Sequence, residues 1–204
     1  MSAHTTPRPA PVIAGLLLAA GGGRRLGGRP KALLSHHGRP LVEHAVRVLR
    51  EAGCGPLHVV LGASAVEVRE RADLTGCVVV DNPDWAEGMG SSLRVGLTSL
   101  AGAGADAALV SLVDQPGIGA AAVARVLAAY RSPASLAAAA YDGERGHPVL
   151  FGAERWADIA ETATGDRGAR VHLARHAGEL TLVECGDVAE AWDIDTPPDL
   201  ARLA

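Results

Sequence analysis

The stretch Val12-Ile13-Ala14-Gly15-Leu16-Leu17-Leu18-Ala19-Ala20-Gly21-Gly22-Gly23 governs how the rest of the chain is read. Val12–Leu18 is a continuous apolar run closed by glycines. A half-buried strand alternates apolar and polar residues, whereas a strand covered on both faces does not. The run therefore predicts a central strand of a parallel sheet. It is too short to span a bilayer. Arg24 and Arg25 follow it closely, so the sequel of a cleaved leader is missing. The residues before it, MSAHTTPRPAP (1–11), are polar and Pro-rich and are expected to form a disordered lead-in. One domain is expected over residues 12–204.

The pattern repeats along the chain. Pro40 opens a helical stretch with Leu41, Val42, Ala45, Val46 and Leu49 on one face and Gly53 at its stop. Leu57–Leu61, Cys77–Val80 and Ala107–Val113 read as further strands, with a short helix at Ala65–Ala72 between the first two. Met89, Leu93, Leu97 and Leu100 mark one helix face, and Ile118, Val123, Val126, Leu127 and Tyr130 another. Ala137–Tyr141, Val149–Phe151 and Leu180–Val183 are weaker strands. Strands separated by helices imply an α/β fold: a Rossmann-like, doubly wound, mostly parallel sheet with helices on both faces. In such sheets ligands bind beyond the carboxyl ends of the strands. The loops after Leu18, Val80 and Val113 should then face one cleft.

Composition narrows the function classes. The 204 residues carry 19 Lys and Arg against 23 Asp and Glu, a net charge of −4, which argues against a nucleic-acid partner. Aromatics at 3% leave no stacking platform for single strands. Hydrophobic residues at 48% and charged residues at 21% suit a soluble globular protein with no membrane partner. Cys54, Cys77 and Cys185 are odd in number and form no C-x-x-C pair, which points away from zinc clusters and towards a reducing, cytoplasmic setting.

The loop from Leu18 to Lys31, LAAGGGRRLGGRPK, joins glycines to cations. Glycines let backbone N–H groups turn inward onto a phosphate. Arg24, Arg25 and Lys31 add the charge a triphosphate needs. Arg24, adjacent to Arg25 in an irregular loop, is expected to point elsewhere and to matter less. The loop is not a P-loop, because Lys31 follows Pro30 and precedes Ala32. It is not a dinucleotide fingerprint either, since that pattern starts at Gly21 and breaks at Leu26. Asp114 directly follows an apolar strand, which aims its carboxylate into the cleft unless it serves a turn before Gln115-Pro116. Asp193 and Asp195 flank Ile194 and share one side of an extended segment. Mg²⁺ takes one or two carboxylates and fills its shell with phosphate and water, a need that Asp114 with Asp195 meets. Asp193 either joins them, caps the helix near Pro197 or pairs with a loop arginine.

In this order the segments resemble the MobA-like nucleotidyltransferases. The glycine loop is similar to that family's L-A-[AG]-G-x-x-x-R-M-G-x-x-K, with Leu26 for Met. Asn82–Leu93 (NPDWAEGMGSSL), Asp114-Gln115-Pro116, Gly146-His147-Pro148, Gly165–Arg170 (GDRGAR) and Asp193–Pro197 (DIDTP) look like segments of its molybdenum cofactor cytidylyltransferase branch. The resemblance covers residues 12–204. Gly22 and Gly23 depart from it, standing where members often carry a polar residue such as Ser.

The resemblance implies a nucleotide-diphospho-sugar transferase fold and Mg²⁺-dependent transfer of CMP from CTP to molybdopterin-type cofactor, with pyrophosphate leaving. It implies Arg25, Lys31 and Asp114 as catalytic, and Asp114 and Asp195 at the metal. Leu18, Ala19, Ala20, Gly21, Gly22, Gly23, Lys31, Asn82, Gly88, Ser92 and Asp114 would line the nucleotide, with Glu87 and Met89 beside it. His147, Asp166 and Arg170 would contact the phosphorylated acceptor. Ala20 and Gln115 match the cytidine branch, whereas the guanosine branch tends to L-A-G-G and P-C-P-D. Transient contact with a molybdenum hydroxylase or its chaperone is a further implied partner. Alternatives remain: another acceptor (a sugar phosphate, polyol phosphate or phospholactate), or a non-catalytic delivery protein. A hydride-transferring dehydrogenase is disfavoured, because Leu61-Gly62-Ala63 offers no acid at the end of the second strand. Trp85 and Trp156 read as packing residues.

Overall fold

The computed structural model describes residues 10–203, so the expected lead-in falls outside the described residues except for its last two positions. Strand β1 (Ile13–Ala19) comes first, followed beyond the glycine loop by a short hairpin, β2 (Ser35–His36) and β3 (Arg39–Pro40). Helix α1 (Leu41–Glu51), β4 (Leu57–Leu61), α2 (Ala65–Arg71) and β5 (Cys77–Asp81) come next. Then follow α3 (Met89–Ser99), β6 (Ala107–Leu112), α4 (Ala120–Leu127), β7 (Leu136–Tyr141) and β8 (Glu144–Gly152). Helices α5 (Trp156–Thr162) and α6 (Arg170–Arg175) and strand β9 (Thr181–Glu184) complete the order.

The strands form a seven-stranded sheet in the order β5-β4-β1-β6-β8-β7-β9. Pairs β1–β4, β1–β6, β4–β5 and β7–β9 are parallel, and β8 runs against both β6 and β7. The mostly parallel, doubly wound α/β sheet expected from the sequence is the one observed, with β8 reversed within it. The reversal has a local cause. Asp142 (φ 53°) and Gly143 (φ 79°) make a two-residue turn between β7 and β8, and two positive φ values suit the twist of antiparallel strands. His37 (φ 48°) and Gly38 (φ 78°) close the β2–β3 hairpin in the same way.

All of β1 is buried, as its unbroken apolar run requires. Successive side chains feed opposite layers. Leu17 and Ala19 pack with Leu41, Val42, Val46 and Leu49 of α1 and Val123 and Val126 of α4. Leu16 and Leu18 pack with Leu93 and Leu97 of α3, Ile159 of α5 and Leu173 of α6. Each fully buried Leu or Val contributes about 1.5–3 kcal/mol, so these two layers carry most of the fold's stability. They fix the carboxyl ends of β1, β5 and β6 along one edge of the sheet, with β4 between β5 and β1. Among the described residues, no helix is long and apolar enough to cross a membrane.

Candidate functional site

Two cavities open beyond those carboxyl ends. One, of about 540 Å³, is bounded by the glycine loop, Trp85, Gly88, Ser92 and the Asp114 and Asp195 carboxylates. The other, of about 580 Å³, lies under β7 and β8. They share Leu18, Met89, Leu112, Arg170 and Asp193 as a common wall. The loops after β1, β5 and β6 thus meet at one cleft, as their place in the sheet demands.

The glycine loop forms two single 3₁₀ turns, Arg24–Leu26 and Lys31–Leu33. Gly23 has φ 57°, and its carbonyl accepts from the N–H of Leu26 (2.8 Å) and of Gly28 (3.1 Å). A Cβ at Gly23 would stand 1.9 Å from the Arg29 carbonyl oxygen, so only glycine closes this turn. Leu18, Ala20, Gly21 and Gly22 line the first cavity, and Gly23 lines its mouth. Ala19 does not reach it, because the strand's alternation turns its side chain into the core. Arg24 and Arg25 both line the mouth. The expectation that Arg24 points elsewhere is therefore corrected: the 3₁₀ turn presents both side chains to the same opening.

Lys31 is the centre of the charge cluster. Its ammonium donates to Asp114 Oδ2 at 2.6 Å and to Asp195 Oδ1 at 2.5 Å. Arg25 Nη1 stands 3.7 Å from Asp195 Oδ2. Burial opposes the charge on Lys31, but the two carboxylates outweigh it and hold the ammonium above its ordinary pKa. Asp195 is held from behind. Asp199 Oδ2 accepts from the backbone N–H of Asp195 (3.0 Å) and Thr196 (2.7 Å) and from the Thr196 hydroxyl (2.7 Å). The Ile194 N–H donates to the Asp114 carbonyl at 2.9 Å, and Ile194 is fully buried. Asp193 and Asp195 therefore both face the cleft, as the period-two reading required. Gln115 Nε2 donates to Asp193 Oδ1 at 2.7 Å. Burial raises the Asp193 pKa, with Gln115 opposing and the neighbouring carboxylates Asp114 and Asp195 adding. Gln115 borders the second cavity, away from the glycine loop.

The Asp114–Asp195 pair fits a divalent ion. Two carboxylates already converge on one cation, and Mg²⁺ asks the protein for no more than that. Among the described residues, no group of three or more His, Cys, Asp or Glu side chains is placed to hold a metal, so the remaining ligands would come from phosphate and water.

The segment after β5 is a braced wall. Asn82 is 1% exposed; its amide donates to Ser91 Oγ (2.9 Å) and Ser92 Oγ (3.0 Å), and its Oδ1 accepts from the Asp84 N–H (3.0 Å). This corrects the placement of Asn82 at the nucleotide: it lies behind the wall, with its polar atoms engaged, and positions Ser92. Glu87 likewise faces away, paired with Arg94 at 3.1 Å, and Arg94 also donates to the Ala163 carbonyl at 2.5 Å. Trp85, read as packing alone, lines the first cavity. A Cβ at Gly22 would lie 3.1 Å from its ring. Glycine at this departure from the family pattern leaves room for the indole.

The second cavity gathers Arg145, Arg167, Arg170 and His147 together with the apolar Leu93, Val149 and Phe151. Burial, then Arg145 and Arg170, push the His147 pKa down to about 4, so the imidazole is neutral at pH 7. Asp166 is not in this cavity. It faces the mouth beside Arg24 and Arg25, while its neighbour Arg167 turns to the second cavity. The grouping of Asp166 with His147 is corrected accordingly: the tight Gly165–Arg167 turn sends adjacent side chains to different cavities. Arg145 was missed in the sequence, although its position two residues from the Asp142-Gly143 turn was a usable signal.

An open sheet with helices on both faces, and a glycine loop set against two carboxylates at its carboxyl edge, is the nucleotide-diphospho-sugar transferase fold. Residues 15–180 match the MobA-like NTP transferase domain, and the chain belongs to that family. It is 41% identical over 200 residues to nicotine blue oxidoreductase of Paenarthrobacter nicotinovorans, covering 95% of this chain and 97% of that one. It is 32% identical over 191 residues to a molybdenum cofactor guanylyltransferase of Cereibacter sphaeroides, covering 92% and 93%. A Mycobacterium tuberculosis H37Rv protein, solved as a manganese complex, superposes with a TM-score of 0.76 at 28% identity over 94% of this chain and 97% of that one.

Proposed function

We propose that this chain transfers a nucleotidyl group, CMP from CTP, to a phosphorylated acceptor of molybdopterin type and releases pyrophosphate. The observation that carries the reading is the paired cavity: a glycine loop with Lys31, Asp114 and Asp195 in one half, opening directly onto an arginine-lined second half. The triphosphate lies along Gly21–Gly23, whose backbone and flanking Arg24 and Arg25 meet its charge. The acceptor phosphate is held by Arg167 in the second cavity and by Arg170 in the shared wall. An acceptor phosphate oxygen attacks the α-phosphorus, the bond to the β-phosphate oxygen breaks, and pyrophosphate departs towards Arg25 and Lys31. The acceptor is already ionised at neutral pH, so positioning and charge stabilisation suffice and no protein base takes a proton. Asp114 and Asp195 would hold a Mg²⁺ ion, which when bound supplies Lewis-acid stabilisation of the phosphate oxygens. CTP is favoured by Ala20, which borders the first cavity; Gln115 acts through Asp193 rather than on the base. The reading places the protein in the cytoplasm, with a molybdenum hydroxylase or its chaperone as recipient of the product.

A second reading is favoured by one finding, the 41% identity to a protein named as an oxidoreductase. On that reading the apolar wall of Leu93, Val149 and Phe151 takes a flat ring that is reduced or oxidised. Against it, β4 ends at Leu61 before Gly62, with no acid to grip a ribose diol. One experiment separates the two. The protein is incubated with Mg²⁺, each nucleoside triphosphate and molybdopterin cofactor, and pyrophosphate is measured; parallel samples with reduced nicotinamide and an aromatic dye are followed by absorbance. Pyrophosphate formed in step with CTP consumption supports the transferase. Dye reduction without pyrophosphate supports the alternative and removes the first.

A further inference from the structure

Lys31 is the only lysine in the sequence; the remainder of its 19 Lys and Arg residues are arginine. This one ammonium sits between Asp114 and Asp195, 2.6 and 2.5 Å from them, and its side chain is 14% exposed. Arginine is the better partner for a single carboxylate, through its planar fork. A compact ammonium suits a different geometry: a point charge wedged between two carboxylates, the place a small divalent ion would take. Both cations cannot stand there together, since Mg²⁺ approaches its oxygens to about 2.0–2.1 Å.

We propose that Lys31 is a placeholder cation. In the nucleotide-free protein its ammonium holds the Asp114–Asp195 pair assembled and keeps a free divalent ion out. The triphosphate then draws the ammonium off its carboxylates, because Lys31 borders the same cavity on a flexible stem. Nucleotide and metal consequently enter together, and neither metal alone nor apo protein exposes a bare dicarboxylate. The proposal rests on the nucleotidyl-transfer reading for its ligand, a metal–triphosphate. It adds that Lys31 opposes metal before it assists the phosphate.

The opposed signs make the test. Mn²⁺ binding without nucleotide is measured by electron paramagnetic resonance for the wild type and Lys31→Met, and inorganic tripolyphosphate binding is measured for both in the presence of chelator. The expected result is Mn²⁺ bound about tenfold or more tighter by Lys31→Met, within the usual range of coupled binding, and tripolyphosphate bound more weakly. Equal Mn²⁺ affinities overturn the proposal, as does weaker Mn²⁺ binding by the variant. A second measurement needs no variant. Lysine labelled with ¹⁵N at Nζ gives one side-chain signal in this chain. Mg²⁺ alone should leave it in place, and Mg²⁺ with tripolyphosphate should shift it. A full shift with Mg²⁺ alone overturns the proposal. Pyrophosphate release by the wild type is scored separately, so the placeholder can fail while the transferase stands.

Discussion

Asp114 has two partners in view, the Lys31 ammonium through its side chain and the Ile194 N–H through its carbonyl. Only the first depends on its charge. Asp114→Asn keeps the backbone link and the shape, and it removes half of the anionic pair. Turnover is expected to fall about a hundredfold or more, the scale of losing one preorganised electrostatic group. Triphosphate affinity should change much less. Steady-state pyrophosphate release with calorimetric nucleotide binding checks this, and a variant with full turnover removes Asp114 from the chemistry. Gly22 offers a finer probe. Gly22→Ser brings a Cβ to 3.1 Å from the Trp85 ring, so the indole must shift by a few tenths of an ångström. Nucleotide KM should rise a few-fold with kcat nearly unchanged, as expected when uniform binding is lost; a kcat loss at constant KM would point to the phosphates instead of the wall.

Between β5 and α3 the chain is stapled by Asn82. Asn82→Ala leaves the Asp84 N–H and the Ser92 hydroxyl without their buried partner, while the Ser91 hydroxyl keeps the Asp84 and Gly88 carbonyls. Each such group costs about 1–3 kcal/mol when unsatisfied. The expected outcome is a clear drop in Tm, with weaker nucleotide binding following from a loosened Ser92. Lost binding at an unchanged Tm would make Asn82 a ligand contact after all. Asn82 also shows what the sequence could convey. Its segment NPDWAEGMGSSL was legible as a site-forming stretch, because the motif and the following helix face were both plain. Which of its side chains face the ligand was not, since a loop has no period to read. The same limit hid the separate directions of Asp166 and Arg167. The Asp193–Asp195 segment, outside any strand, fared better: Ile194 buried with Asp193 and Asp195 facing the cleft is the alternation an extended backbone gives. The reversed β8 was readable in principle, from Asp142-Gly143, but an apolar strand carries no mark of its direction.

That reversal shapes the molecule's second cavity. Val149 of β8 pairs with Val110 of β6, and β8 begins five residues earlier, at Glu144. Running antiparallel, its opening residues project past the carboxyl end of β6, which brings Arg145 and His147 to the cleft. The cost is a half-buried histidine beside two arginines. Its pKa falls from the ordinary 6.5 to about 4, first by burial and then by Arg145 and Arg170. The unfolded chain therefore binds a proton between these values that the folded chain refuses, and stability rises with pH across that window. The contribution is complete above about pH 6.5 and is lost as the pH falls towards 4; a displacement of this size corresponds to about 3 kcal/mol. Burial also lowers His36, His44, His58 and His172, so acid lability has a shared background. His147→Gln keeps a polar side chain but removes the titration, and the Tyr141 hydroxyl still has the residue-147 carbonyl to donate to. Urea unfolding at pH 7.5, 6.5, 5.5 and 5.0 should show the wild type losing stability more steeply than His147→Gln. The difference should be largest at pH 5.0 and absent at pH 7.5 beyond a constant offset. Parallel curves would mean that His147 takes up its proton at the same pH in the folded and unfolded chains, and that its burial beside Arg145 and Arg170 does not oppose its charge.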